Sequence, residues 1–182
     1  LTAEWLDVKL VVPERPGNLT HINKGVIMYL ERLAAVKELM VEGSKVHAVN
    51  METWGVGNIN DLVADLVNGA SAEDVFECGT TACIAGWTNA FVFNTNTAEY
   101  MRAIQNVGYS REKSLLQAFL GLTTNEATSL CYPDSQFWRN FGAEPENKED
   151  LNSPWVISDE DLFRGLDALI NGEVTLADEG TE

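Results

Sequence analysis

The chain has 182 residues, 28 acidic and 12 basic, giving a net charge of −16 with 45% apolar residues. This composition belongs to a folded, acidic chain of domain size and excludes wholesale disorder. The charge argues against non-specific binding to nucleic acid or anionic membranes, which needs basic surface.

Residues 1–17 contain Pro13, Pro16 and Gly17 and read as an extended arm, with Leu10, Val11 and Val12 as a short strand. Asn18 caps a helix with apolar residues at Leu19, Ile22, Val26, Leu30, Leu33, Val36 and Met40, ending near Gly43. His21 lies beside Ile22 on its surface. Val46, Ala48 and Met51 fit a short strand or packed loop, with His47 as a hydrogen-bonded packing residue. Asn58 and Asn60 precede a short helix through Leu62, Val63, Leu66 and Val67, closed by Gly69. Ser71 and Asp74 resemble a capping box before Val75 and Phe76. Thr80 or Thr81 is expected to cap a helix through Ala82, Cys83, Trp87 and Phe91, and Asn94 to Thr97 a loop.

Short capped helices fill the second half. Thr97 precedes Tyr100, Met101 and Ile104; Ser110 precedes Leu115, Leu116, Phe119 and Leu120, with Gly121 at the end. Thr123 and Glu126 form a capping box stopped by Pro133, and Asp134 opens a turn holding Phe137, Trp138 and Phe141. Residues 143–156 read as a polar surface loop. Ser158 and Asp161 form a further box before Leu162, Leu166, Leu169 and Ile170, closed by Gly172. The fold expected is all-α: six to eight short helices in one domain over 18–174, with a minor two-stranded element near Val11 and Val46. An acidic, frayed tail is expected over 175–182.

No window holds the ~20 apolar residues of a membrane helix. The most apolar run, Cys83 to Phe93, is interrupted by Gly86, Thr88 and Asn89. The start, LTAEWLDVKL, lacks the basic and apolar regions of a signal peptide, so none is expected there. Three cysteines are no disulfide framework, and a reducing cytoplasm is the expected setting. The charge is unevenly spread. Residues 46–101 carry seven acids and no Lys or Arg, and residues 143–182 carry twelve acids and two bases. Solubility accounts for such charge, and a basic protein partner is compatible with it.

The most unusual segment is Cys78-Gly79-Thr80-Thr81-Ala82-Cys83-Ile84-Ala85-Gly86-Trp87. A cysteine just before a helix start faces unpaired N–H groups and the positive dipole end, which lower a thiol pKa. Three chemical readings follow. Cys78 could act as a thiolate if His47 or His21 came close. Cys78, Cys83, Cys131 and His47 offer four ligands of the types zinc takes, without the paired spacing of zinc sites. A Cys78–Cys83 disulfide requires Cys78 to bend back before the cap. Against all three stands plain packing, the usual fate of buried cysteines, and it carries more weight. Asp159, Glu160 and Asp161 stand at a helix start, where acids need no calcium, and the calcium-loop pattern is missing. Asp61 and Asp65 lie one turn apart, facing solvent. Of the tryptophans, Trp5 and Trp155 fall in irregular segments and are expected to be partly exposed. No phosphate-cradle motif is present. No catalytic residue, cofactor or metal ligand is assigned; the candidate motif is Cys78, Gly79, Thr80, Cys83, Gly86 and Trp87, with Trp54.

That segment resembles a C-G-T-x-x-C-I-x-G-W/H-A signature of small uncharacterised proteins from bacteria and their phages. Asn50-Met51-Glu52-Thr53-Trp54-Gly55 is similar to the group's F-D-M-x-x-W-G stretch, with Val49 and Asn50 in place of Phe and Asp. Leu120 to Leu130 resembles its Leu-Gly-Leu element followed by a capped helix, and Ile157 to Asp161 its closing cap. Trp54 and Cys78 stand 24 residues apart, a longer spacing than the group's, so residues 56–76 read as an inserted helix. The resemblance implies a helical fold and a bacterial or phage origin, and it carries no activity. The expected function is a non-enzymatic binding protein acting through an acidic surface over 143–182. The alternatives are a cysteine- or metal-dependent enzyme centred on Cys78 and Cys83, and a structural or assembly component.

Overall fold

The computed structural model describes residues 29–53, 55–76, 79–94 and 111–176. The expected N-terminal arm, residues 18–28 of the expected leading helix with His21, Trp5, Trp54, Cys78, the helix after Thr97 and residues 177–182 of the tail lie outside the described residues. The expected helix from Asn18 to Gly43 is not continuous, because Tyr29 is a non-helical N-cap and the described helix starts at Leu30.

The described chain is mostly helical. Eight helices are present among the described residues: α1 (Leu30–Ser44), α2 (Ile59–Val67), α3 (Ala72–Val75), α4 (Ile84–Asn94), α5 (Arg111–Leu120), α6 (Thr124–Cys131), α7 (Gln136–Arg139) and α8 (Asp159–Ile170). One antiparallel pair, β1 (Glu144–Pro145) with β2 (Trp155–Val156), is inserted before α8. Among the described residues the sheet lies here and not at Val46, where the sequence implied one strand of a pair. Val46 lies in the turn after α1, and Val11 is outside the described residues.

Helix α4 is the centre of the packing and meets α1, α2, α5 and α6. Ile84, Ala85, Gly86, Trp87, Thr88, Ala90 and Val92 are all buried, so the helix is enclosed over most of its length, with Phe93 exposed near its end. The apolar stripe of α1 reaches the same core through Leu33, Val36 and Met40, each fully buried. Each such side chain is worth ~1.5–3 kcal/mol of burial. Gly43 lets α1 approach: a Cβ there would collide with Cζ2 and Cη2 of Trp87. Helix α8 packs on α1, and its Lys37–Asp167 ion pair of 2.5 Å ties the two together. Leu176, placed in the tail by its sequence, is buried in the core.

The caps came out unevenly. At Thr123 the full box forms: Thr123 Oγ1 accepts from the Glu126 N–H at 3.2 Å, and Glu126 accepts from the Thr123 N–H at 2.7 Å. Ser158 Oγ accepts from the Asp161 N–H at 3.1 Å. Ser71 makes no such cap; its hydroxyl donates to the Asp74 carboxylate instead. Ser135, not Asp134, caps α7. Among the described residues no helix is long and apolar enough to cross a membrane.

Candidate interaction site

The Cys-Gly-Thr segment does not begin a helix at Thr80 or Thr81. Residues 80–83 are extended, because their backbone groups are taken by the chain at 48–56. The Ala82 N–H donates to the Ala48 carbonyl and the Asn50 N–H to the Ala82 carbonyl, both at 3.0 Å. Thr81 and Val56 exchange two bonds, of 2.8 and 3.1 Å. The Cys83 N–H donates to the Thr53 carbonyl at 2.6 Å, and α4 starts only at Ile84. The Trp87 indole N–H then donates back to the Ala48 carbonyl at 3.3 Å. Gly79 is exposed at φ +91°, while Thr80, Cys83, Gly86 and Trp87 are buried. These motif residues lock the 48–56 loop onto α4.

The other chemical candidates are dispersed. His47 is an exposed turn residue at φ +58°, not a packed one, because α1 ends at Ser44 and the chain must reverse there. Cys83 and Cys131 are buried. Among the described residues no group of three His, Cys, Asp or Glu could hold a metal ion.

Residues 143–156, expected as a loop, form a hairpin. Glu144 pairs with Val156 and Pro145 with Trp155. The tip is pinned by its own polar groups. The Glu146 N–H donates to the Pro154 carbonyl at 2.8 Å, and the Asn147 N–H to Ser153 Oγ at 2.7 Å. Side-chain oxygens of Asn147 and Asp150 accept from the N–H groups of Glu149 and Asn152. Leu151 stands at this tip at 101% relative exposure, beside Glu149 and Asp150.

The charge of this region is uncompensated. Its two bases are spent locally, Lys148 on Glu144 and Arg164 on Asp161, each at 2.6 Å. Among the described residues Glu146, Glu149, Asp150, Asp159, Glu160 and Glu173 have no lysine or arginine partner.

Beside the hairpin lies a cleft of about 200 Å³ between the 49–52 loop, β2 and the start of α8. Met51 and Leu162 give it buried apolar walls, and Trp155 and Ile157 half-buried ones. Trp155 is steadied by the Arg139 guanidinium, 4.5 Å from its ring centroid. Glu52 and Asp159 are the acidic residues among those that line it. Burial pushes the Asp159 carboxyl above its ordinary pKa, and the neighbouring His47 charge pulls it the other way. The sequence reading treated Asp159 only as a helix-start acid and did not single out Glu52. The available signal was the two base-poor blocks, 46–101 and 143–182, whose meeting point no local pattern encodes.

No protein family, curated protein or solved structure matches the chain.

Proposed function

We propose that the chain is a non-enzymatic binding protein of bacterial or phage origin that engages a basic partner protein and thereby modulates it. The contact surface is the acidic hairpin of residues 144–156 together with the adjoining cleft. One observation carries the reading: the two base-poor blocks of the sequence meet there, with Glu52 from one and Asp159 from the other lining a single cleft. Uncompensated carboxylates repel one another, and a cationic partner surface relieves that repulsion while steering association. The pinned hairpin adds pre-organisation, since little ordering remains when Leu151 and its neighbouring acids dock.

The test is affinity capture on the full chain at low and high salt, beside the variant Glu146→Gln/Glu149→Gln/Asp150→Asn. A stoichiometric protein partner should be held at low salt, released as salt rises, and lost to the variant. A partner held equally by both chains at every salt concentration would overturn the proposal.

A further inference from the structure

The cleft has properties beyond acidity. Small-molecule sites usually enclose ~300–1,000 Å³, so a cleft of about 200 Å³ is sized for one long side chain rather than a nucleotide or cofactor. Its walls are mixed. Met51 and Leu162 are apolar, buried lining residues, and the half-buried Ile157 and Trp155 extend that lining. The carboxylates of Glu52 and Asp159 come from separate segments, the loop after α1 and the first turn of α8. Neither carboxylate makes a hydrogen bond or close ion pair among the described residues, and the charge that acts on Asp159 from nearby is that of the exposed His47. Asp159 is partly withdrawn from water, which penalises its charge and makes a cationic partner more favourable there.

A cation on an apolar stem matches this combination. Of the two natural candidates, guanidinium is less strongly hydrated than ammonium, and its fork of donors can serve two carboxylates at once. We propose that the cleft receives an arginine side chain of the partner protein, its methylenes against Met51, Ile157 and Leu162 and its guanidinium facing Glu52 and Asp159. The inference rests on the acidic-face reading and names the residue that face recognises.

The probe is the peptide acetyl-Gly-Gly-Arg-Gly-Gly-amide, titrated into the full isotope-labelled chain and followed by amide and indole NMR. Lysine and citrulline versions serve as comparisons. The arginine peptide should shift the Trp155 indole and the Met51 and Leu162 amides saturably. The lysine peptide should shift the same signals at least threefold more weakly, and the uncharged citrulline peptide should leave them unmoved. Glu52→Gln/Asp159→Asn should weaken arginine binding at least tenfold. Three results overturn the cleft assignment: no saturable shift, an equal response to citrulline, or shifts confined to Glu146, Glu149 and Asp150. The last of these leaves the acidic-face reading standing. A lysine peptide that binds as tightly as the arginine one overturns the choice of arginine. Conversely, saturable arginine binding in the cleft, with a natural partner indifferent to salt, supports the cleft and removes the broader reading.

Discussion

Gly165→Ala sets two well-calibrated effects against each other. Gly165 is buried in the middle of α8. Helix propensity alone favours alanine there by about 1 kcal/mol. Packing opposes it: an added Cβ would lie 2.7 Å from Trp138 Cζ3 and 3.1 and 3.2 Å from Phe141 Cγ and Cδ2. Carbon atoms rest ~3.5–4.0 Å apart, so the indole must withdraw by about 1 Å. It has nowhere to go. Trp138 is fully buried, its N–H donates to the Leu130 carbonyl at 2.9 Å, and Phe137 stands edge-on to it at 4.6 Å. Overpacking of this kind costs ~1–3 kcal/mol. The expected net effect is a loss of about 1 kcal/mol, read as a lower urea midpoint or a melting temperature reduced by ~2–4 °C. In a Trp138→Phe background the closest contact is removed while those to Phe141 remain, and the same substitution should cost measurably less than in the native background. A stabilisation of about 1 kcal/mol in the native background would refute the reasoning, because propensity would then be acting alone.

Other expectations follow from the same geometry. Thr123→Ala removes a reciprocal capping box and should cost ~1 kcal/mol in urea unfolding, whereas Thr123→Ser should cost much less; equal losses would contradict the cap. His47 sits at φ +58°, so His47→Val should be destabilising by ~1–2 kcal/mol and His47→Gly should not, a pair that thermal melting separates. For Asp159 the folded chain holds its proton more tightly than the unfolded one, because burial raises the carboxyl pKa. Stability contributed by this group therefore falls as pH rises from the ordinary Asp value through the raised one. Asp159→Asn should gain stability relative to the native chain across that window. A carboxyl NMR midpoint at or below the ordinary Asp value would contradict this.

Helices were legible wherever stripe and cap agreed. The period through Leu33, Val36 and Met40 located the buried face of α1, and Thr123 with Glu126 marked the start of α6. These signals are local, since each depends on residues within one or two turns. What escaped the sequence depends on distant partners. Thr80 and Thr81 have the residue type of a cap, yet Val56 claims the backbone groups of Thr81, and the Thr80 hydroxyl accepts from the Asn58 N–H. The hairpin was obscured because residues 146–154 are almost wholly polar, and its order comes from Asn, Asp and Ser side chains bonding to backbone N–H groups. Two of the motif residues, Thr80 and Trp87, find their partners in Asn58 and Ala48, which explains their placement by packing rather than chemistry. The cleft was invisible for the same reason: Glu52 and Asp159 are 107 positions apart in the chain.

The most direct test of acidic-face binding is zero-length carbodiimide coupling of carboxylates to partner lysines, in an extract of the cells that make the chain. Mass spectrometry then reads which acids have reacted. The account predicts coupling to one protein, concentrated at Glu146, Glu149 and Asp150 on the hairpin. Coupling concentrated instead at the exposed Asp61, Asp65 and Asp134, or spread evenly over all exposed acids, would contradict it.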